Sequence, residues 1–288
     1  MTQNRHFLNI PVVYKLGTRF IGYIPKRLAY LIAELIAEIS ILLYKDSFIA
    51  VSENIKLPFP NYTISERKKL SRRIFRNYAK YLVDYGRYNI MKNEDILREF
   101  TSYQGRENLE MVIEMQKGII LLTGHIGNWE LGGLFLSSYG LKTNVITLPD
   151  EDTSIHYLRE NYRKKFNVNT ITIGNSPLSS VEMLNVLMKK EVLAMLIDRY
   201  DNKEDGRYCD FFGKRKLFPI GPVILAKVSG APIIVSFVVK ERNGYKGIIE
   251  SPIFVENGRE DEALQEIVNI LKNYIIIYAD QWYNFYPL

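Results

Sequence analysis

The chain has 288 residues, a length suited to one or two domains with a buried core. Hydrophobic residues make up 47% and charged residues 24%, which excludes a disordered or collagen-like protein. Cys209 is the only cysteine, so an internal disulfide and a cysteine-based zinc site are both excluded. The first fifteen residues lack the apolar core of a secretory signal, and we expect a protein of a reducing compartment.

The net charge of +6 is concentrated in the N-terminal third of the chain. Residues 1–110 contain 18 Lys and Arg against 11 Asp and Glu, whereas residues 111–288 contain 20 against 21. Such a surplus indicates contact with something anionic. Phospholipid head groups, an acidic carrier protein and nucleic acid all remain open on charge alone.

The first long apolar stretch, residues 28–43, is too polar to span a membrane because Glu34 and Glu38 interrupt it. These two glutamates share one helical face, and four apolar residues share another. The apolar set is Leu31, Leu35, Ile39 and Leu42. The pattern predicts an amphipathic helix, and periodicity favours core packing and membrane contact equally.

A second long helix is predicted to begin near Ser65. It has a basic face and a tyrosine stripe at three-to-four-residue spacing. The basic residues are Lys69, Arg73, Arg76 and Lys80, and the tyrosines are Tyr78, Tyr81, Tyr85 and Tyr88. This pattern is typical of a solvated face beside a partly buried aromatic stripe. The alternative is a docking surface for an acidic partner or lipid phosphates.

After Gln116 the pattern changes to short apolar runs that alternate with helical segments. Strands are predicted at 118–123, 145–148, 169–173, 192–197 and 232–239, with an edge strand within 245–254. Helices are predicted at 129–138, 154–166, 179–190, 222–228 and 262–277. This alternation predicts an α/β fold with a mainly parallel central sheet flanked by helices. We predict a helical, basic part at 1–115 and an α/β part at 116–288 that share one core.

The most informative stretch runs from Gly118 to Gly133, where an apolar strand leads into a glycine-bearing turn and then a helix. His125 lies at the carboxyl end of the strand, the edge at which open α/β sheets place their sites. Asn128 is the predicted helix cap, and Glu130 follows in the first helical turn. His125 and Glu130 can face each other only across such a turn.

A histidine next to a glutamate suits a general base with an orienting acid. The imidazole would take a proton through one nitrogen while the carboxylate holds the other N–H. A purely structural role explains such a pair equally well. The chain has no Gly-x-Ser-x-Gly motif, so we expect direct activation of a substrate hydroxyl without a covalent enzyme intermediate.

Seven other stretches of the chain, besides His125-Ile-Gly-Asn-Trp-Glu130, form part of a recognisable pattern. They are Asn54 to Pro60, Asp198-Arg199, Cys209-Asp-Phe-Phe-Gly213, Phe218-Pro-Ile-Gly-Pro222, Leu225-Ala, Gly230-Ala-Pro232 and Gln281-Trp-Tyr. In this order they resemble the lipid A biosynthesis acyltransferases, within the wider glycerolipid acyltransferase group. The resemblance covers most of the chain.

The resemblance implies transfer of a fatty acyl group from an acyl-carrier-protein thioester to a hydroxyl of a lipid A precursor or related membrane glycolipid. It implies peripheral or monotopic association with the cytoplasmic face of the inner membrane, and no metal or redox cofactor. By resemblance His125 is the base and Glu130 its partner. The implied substrate-binding residues are Asn128, Arg163, Asp198 and Arg199.

Departures from the family pattern leave the acceptor open. Arg199 stands where the family usually has glutamine, and it either favours a more anionic acceptor or pairs with Asp201. Relatives acylate phosphatidylinositol mannosides or other lipids, and some use acyl-CoA. A non-catalytic basic module for membranes or nucleic acid is the remaining alternative. Nucleic acid is disfavoured because the His125–Glu130 motif lies in the near-neutral part of the chain.

Overall fold

The computed structural model describes residues 21–147, 153–173, 178–200 and 206–288. His6 and Asp201 lie outside these ranges, as do the first fifteen residues. The chain divides into two compact units. The first contains residues 1–92, 150–162 and 276–288, and the second contains residues 93–149 and 163–275. The sequence-based boundary between residues 115 and 116 stays a prediction.

The first unit is built around helices α1 (Lys26–Leu43), α2 (Lys45–Asn54) and α3 (Ile64–Arg87). Helix α3 begins with a capping box in which Thr63 and Glu66 satisfy each other's backbone N–H groups. Three tyrosines of the predicted stripe are buried and pack ring against ring, which confirms the interpretation of a buried aromatic stripe. They are Tyr81, Tyr85 and Tyr88.

Helix α1 packs on α3 through small and charged residues instead of large apolar ones. Its buried positions include Ala29, Ala33 and Ala37, one helical turn apart. Between them, Glu34 pairs with Lys80 and Glu38 with Arg76 on α3. Eight large apolar side chains of α1 therefore point to solvent, whereas Ile41 is buried. This apolar face of α1 consists of Leu28, Leu31, Ile32, Leu35, Ile36, Ile39, Leu42 and Leu43.

The same ion pairs change the interpretation of the basic face of α3. Arg76 and Lys80 are engaged by α1, with a distance of 2.7 Å between Arg76 Nε and Glu38 Oε1. Lys69 and Arg73 are exposed. The predicted four-residue docking face is thus reduced to two cations, because the other two hold α1 in place.

The second unit contains a sheet of seven strands within the described ranges, in the order β1-β9-β8-β2-β5-β3-β4. Neighbouring strands pair in parallel except β8 and β9, which pair antiparallel. A separate antiparallel hairpin is formed by β6 and β7. The strands are β1 (Phe100–Gln104), β2 (Ile119–Thr123), β3 (Thr143–Thr147), β4 (Val168–Thr172), β5 (Val192–Leu196), β6 (Gly206–Phe211), β7 (Lys214–Pro219), β8 (Ile233–Glu241) and β9 (Gly244–Ile249).

Helices connect most of these strands, as expected for parallel pairing. The connecting helices are α5 (Arg106–Glu114), α6 (Trp129–Ser138), α7 (Thr153–Lys165), α8 (Leu178–Met188) and α9 (Gly221–Ser229). Helix α4 (Asn93–Arg98) precedes β1, and α10 (Glu260–Ile277) follows β9. The predicted α/β fold with a mainly parallel sheet is confirmed, and so are its five strands and five helices to within a few residues.

Two predictions about the sheet are wrong. β9 lies inside the sheet, between β1 and β8, and not at its edge. The edge next to β9 is β1, which falls where the sequence pattern predicted helix. β1 has five residues, of which only Phe100 is buried, so it carries too little alternation to be recognised. The β6–β7 hairpin was also missed, because three of the six residues in β6 and four of the six in β7 are charged, glycine or proline.

Candidate active site

Two central strands bring His125 and Asp198 together. β2 and β5 are parallel neighbours in register, and Thr123 pairs with Leu196 at their carboxyl ends. His125 and Asp198 each lie two residues beyond this last pair. The equal offset places both side chains at the same edge of the sheet.

The imidazole and the carboxylate of this pair are in direct contact. Nδ1 of His125 lies 2.6 Å from Oδ1 of Asp198, and the backbone N–H of His125 donates to Oδ2 at 2.9 Å. Asp198 is 1% exposed and His125 is 16% exposed. Burial raises the pKa of the Asp198 carboxyl, but His125 and the neighbouring Arg199 outweigh it and hold that pKa well below its usual range. Asp198 is therefore an anion that orients the ring and stabilises a positive charge on it.

The turn that presents His125 depends on its glycines, as predicted. Gly127 has φ +63°, and a Cβ atom there would lie 2.0 Å from the carbonyl oxygen of Val238. The next amide, of Asn128, donates to the same carbonyl at 2.7 Å. A Cβ atom on Gly124 would lie 2.7 Å from Leu271. Larger residues at 124 and 127 would displace the turn and the imidazole with it.

Asn128 is the cap of α6, as the sequence predicts. Its Oδ1 accepts from the amide of Leu131 at 3.0 Å, and its Nδ2 donates to the hydroxyl of Tyr245 at 3.1 Å. Both ends of the side chain thus serve the fold, and the side chain is buried. A substrate-binding role for Asn128 stays a prediction.

Glu130 lies in the first turn of α6, but its carboxylate binds an arginine. Oε1 of Glu130 accepts from Nη2 of Arg163 at 2.8 Å, and Nη1 of Arg163 donates to Thr170 at 3.2 Å. The predicted contact between Glu130 and a ring nitrogen of His125 is therefore wrong, because Asp198 contacts Nδ1 and Arg163 binds Glu130. The Glu130–Arg163 ion pair links α6 to the last turn of α7, and the hydrogen bond from Arg163 to Thr170 links both to β4. Catalytic participation of Glu130 and substrate binding by Arg163 stay predictions.

The residue pattern alone did not predict that Asp198 is the partner of His125. The predicted strands did contain a signal, because Asp198 directly follows one of them and His125 lies two residues beyond another. To predict the pair from this signal, one must also know that β2 and β5 are neighbouring strands. Arg199, beside Asp198, is exposed. Within the described ranges, no group of three His, Cys, Asp or Glu side chains is placed to hold a metal ion.

An apolar cavity of about 60 Å³ adjoins this edge of the sheet. Its lining combines side chains of α6 with strands of the sheet, and Glu130 and Arg163 are among the few charged groups there. Other lining residues are Leu121, Thr123, Trp129, Phe135, Val145 and Val238. Trp129 also packs edge-on against His125, with ring centroids 4.9 Å apart. The cavity lining is thus almost entirely apolar.

The family model described as "Bacterial lipid A biosynthesis acyltransferase" matches residues 5–288. The chain belongs to this family. A phosphatidylinositol mannoside acyltransferase of Mycobacterium tuberculosis (strain CDC 1551 / Oshkosh) is 21% identical over 73% of this chain and 67% of the relative. A lipid A biosynthesis palmitoleoyltransferase of Escherichia coli K12 is 21% identical over 80% of this chain and 74% of the relative.

A solved structure is also similar to this acyltransferase. It is the crystal structure of a 1-acyl-sn-glycerophosphate acyltransferase from Thermotoga maritima, with 13% identity and a TM-score of 0.41. The similarity covers 90% of this chain and 100% of the other.

Membership makes the protein an O-acyltransferase of the lipid A and glycolipid type, and the non-catalytic alternative is wrong. Cys209, the one thiol, is buried, and burial raises its pKa to about 11, which agrees with a packing role and not with a nucleophile. His156 falls on α7, but its side chain lies outside the described part of the chain.

Proposed function

We propose that this acyltransferase moves a fatty acyl chain from an acyl-carrier-protein thioester to a hydroxyl of a lipid A precursor or related membrane glycolipid, with His125 as general base. The observation that carries the proposal is the His125–Asp198 pair, a histidine held by a buried carboxylate at the carboxyl edge of a parallel sheet. The family match supports the reaction class.

The proposed step begins with the acceptor hydroxyl beside Nε2 of His125, because Asp198 holds Nδ1. Nε2 takes the hydroxyl proton as the oxygen attacks the thioester carbonyl carbon and gives a tetrahedral oxyanion. Asp198 stabilises the imidazolium formed. Collapse of the oxyanion breaks the carbon–sulfur bond, and the imidazolium returns the proton to the departing thiolate. The products are the ester and the free carrier thiol.

The apolar cavity supports a binding place for the acyl chain in this reaction. It reaches from Thr123, at the end of β2, to Phe135 on α6, so a chain inside it would have its thioester end near the edge that carries His125. Trp129 and Glu130, from the same turn, contribute to its wall. We infer that the depth of this cavity sets the acyl chain length.

Among the predicted substrate-binding residues, we favour Arg199 over Arg163 as the contact for a phosphate of the acceptor. The side chain of Arg163 is 6% exposed and bound to Glu130, so a phosphate would have to break a buried ion pair to reach it. Arg199 is exposed next to Asp198. An anionic acceptor, as lipid A precursors are, would meet an exposed cation there, next to the carboxylate that holds His125.

We further propose that the apolar face of α1 lies in the head-group region of the inner membrane, on its cytoplasmic side. Among the described residues no helix is long and apolar enough to cross a bilayer. The face consists of eight exposed aliphatic side chains on one helix. Arg27, at one end of α1, and Lys45, just beyond the other, are exposed and suited to anionic head groups.

Replacing Leu31 and Leu35 together with glutamine is expected to weaken vesicle binding at least tenfold. Each leucine contributes about 2 kcal/mol when fully buried in an apolar phase. Flotation of the full chain with vesicles of phosphatidylethanolamine and phosphatidylglycerol measures this. Leu178→Gln on α8 is the matched control, since Leu178 is equally exposed but is not part of the apolar face of α1. Equal losses in both variants would contradict the assignment.

The test of the whole proposal is a transfer assay with purified protein. Labelled acyl-carrier-protein and acyl-CoA are offered as donors, and a lipid A precursor and a mixed phospholipid extract as acceptors. Mass spectrometry should detect His125-dependent acylation of the lipid A precursor from the carrier-protein donor. Acylation of another lipid only would contradict the proposed acceptor, and acylation from acyl-CoA only would contradict the proposed donor. Transfer that survives His125→Ala would overturn the mechanism.

A further inference from the structure

A lysine on the β6–β7 hairpin contacts the residue that holds His125. Lys216 lies on β7, opposite Cys209 on β6. Its Nζ donates to the main-chain carbonyl oxygen of Asp198 at 3.1 Å. The side chain thus joins the hairpin to the end of β5, a contact that no sequence motif indicated.

The ammonium of Lys216 is in an unusual environment. It lies 5.2 Å from the ring centroid of Phe211 and 5.9 Å from that of Phe218, and both rings are buried. Within the described ranges no carboxylate oxygen lies within ion-pair distance of its Nζ. Burial, opposed by Asp198 and reinforced by Arg199, lowers the pKa of Lys216 to about 8. A desolvated cation without a partnered carboxylate destabilises the fold, which points to a functional reason for keeping it.

We propose that Lys216 is a positioning residue for acyl transfer, which fixes the main chain of Asp198 and keeps a positive charge beside the Asp198–His125 pair. This inference rests on the proposed function of that pair. It adds a residue from the hairpin to a site that otherwise consists of loops following the sheet strands.

The charge has a specific consequence for a general base. A buried carboxylate on Nδ1 favours the imidazolium, but only the neutral imidazole can accept a proton from the acceptor hydroxyl. Lys216 donates to the main chain of Asp198 and Arg199 is its neighbour in sequence, and positive charges placed there disfavour a further positive charge on the ring. Lys216 therefore increases the fraction of neutral His125 near pH 7. Its loss should move the protonation of His125 to higher pH.

Three variants separate the hydrogen bond from the charge. Lys216→Met removes both, Lys216→Gln keeps an N–H donor without the charge, and Lys216→Arg keeps both. Lys214→Met is the matched control, because Lys214 is an exposed cation on the same strand. Thermal unfolding of each variant checks that the hairpin change leaves the chain folded.

Two measurements are made on each full-length variant. In the transfer assay, Lys216→Met should lower kcat about tenfold, leave the donor KM within about twofold, and move the acid limb of the kcat/KM profile up by roughly half a pH unit. NMR titration of the His125 imidazole, assigned by comparison with His125→Ala, should show the same upward movement. Lys216→Gln should regain part of the kcat that Lys216→Met loses, while the acid limb of its kcat/KM profile stays at the higher pH. Lys216→Arg and Lys214→Met should match the original protein.

An unchanged His125 titration in both Lys216→Met and Lys216→Gln would overturn the inference, even in folded variants of lower activity. Equal effects from Lys214→Met would overturn it too, since the hairpin and not the contact would then be responsible. The NMR titration does not depend on transfer. If the protein transferred no acyl group, the proposed function would fail while the influence of Lys216 on His125 was still measured.

Discussion

Alanine at position 125 is expected to lower kcat by about a thousandfold, with little change in the donor KM. A positioned general base contributes on the order of 10²–10⁴ to a rate, and His125 is the group that the proposed step requires to accept the hydroxyl proton. The side chain is 16% exposed and lies at the edge of the sheet, so its removal leaves the core intact. Steady-state kinetics with acyl-carrier-protein donor measure the loss, and circular dichroism verifies the fold.

Asp198→Asn tests the orienting role in the same assay. The amide cannot stabilise the imidazolium as the carboxylate does, so we expect a loss of about a hundredfold or more. His156→Ala, which removes a histidine with no proposed role, should be indistinguishable from the original protein. If Asp198→Asn kept full activity while His125→Ala lost it, the base would act without the carboxylate seen in the structure.

The fold class followed from the sequence because the α/β part has a simple pattern. Its central strands, such as β2 and β5, are continuous apolar runs, which only strands covered on both faces can bury. The end of β2 could be recognised in the sequence, so the glycine-bearing turn that follows it indicated His125 as a candidate site residue. Strands with fewer apolar residues, β1 and the β6–β7 hairpin, offered no such pattern and were missed.

The pairing of side chains in the site depends on contacts between residues far apart in the chain. His125 and Asp198 meet because β2 and β5 are adjacent, and strand order cannot be read from local periodicity. Five-residue spacing suggested Glu130 as the partner of His125, but Arg163 attracts that carboxylate instead. Asp198 was expected near the site only from the family resemblance, which gave no contact for it.

Helix α1 shows a different limit of sequence reasoning. Periodicity correctly divided its residues into a glutamate face and an apolar face. It could not say which face packs inward, because that depends on α3. Lys80 and Arg76 on α3 match Glu34 and Glu38, so the charged face packs on the unit and the apolar face is exposed. Core packing, which periodicity left open, is excluded for the eight residues of the apolar face of α1.

The Glu130–Arg163 ion pair is expected to have the largest effect on stability among the residues of the site. Its side chains are 13% and 6% exposed, so removing one partner leaves a buried charge without its counter-ion. We expect Arg163→Met and Glu130→Met each to lower the free energy of unfolding by about 3 kcal/mol. Urea denaturation of the full chain, followed by tryptophan fluorescence, measures this.

The double variant Glu130→Met/Arg163→Met distinguishes loss of the pair from loss of packing. With both charges gone, no buried charge remains unpaired, so its loss of stability should be smaller than either single loss. The exposed pair Arg106–Glu110 on α5, with a 2.9 Å contact, is the matched control, and methionine at either position should have a much smaller effect. Additive losses at 130 and 163 would mean that the two residues stabilise the unit independently. Their joint rescue would instead identify Glu130 as the counter-ion that allows Arg163 to be buried beside the apolar cavity, a role separate from the orientation of His125 by Asp198.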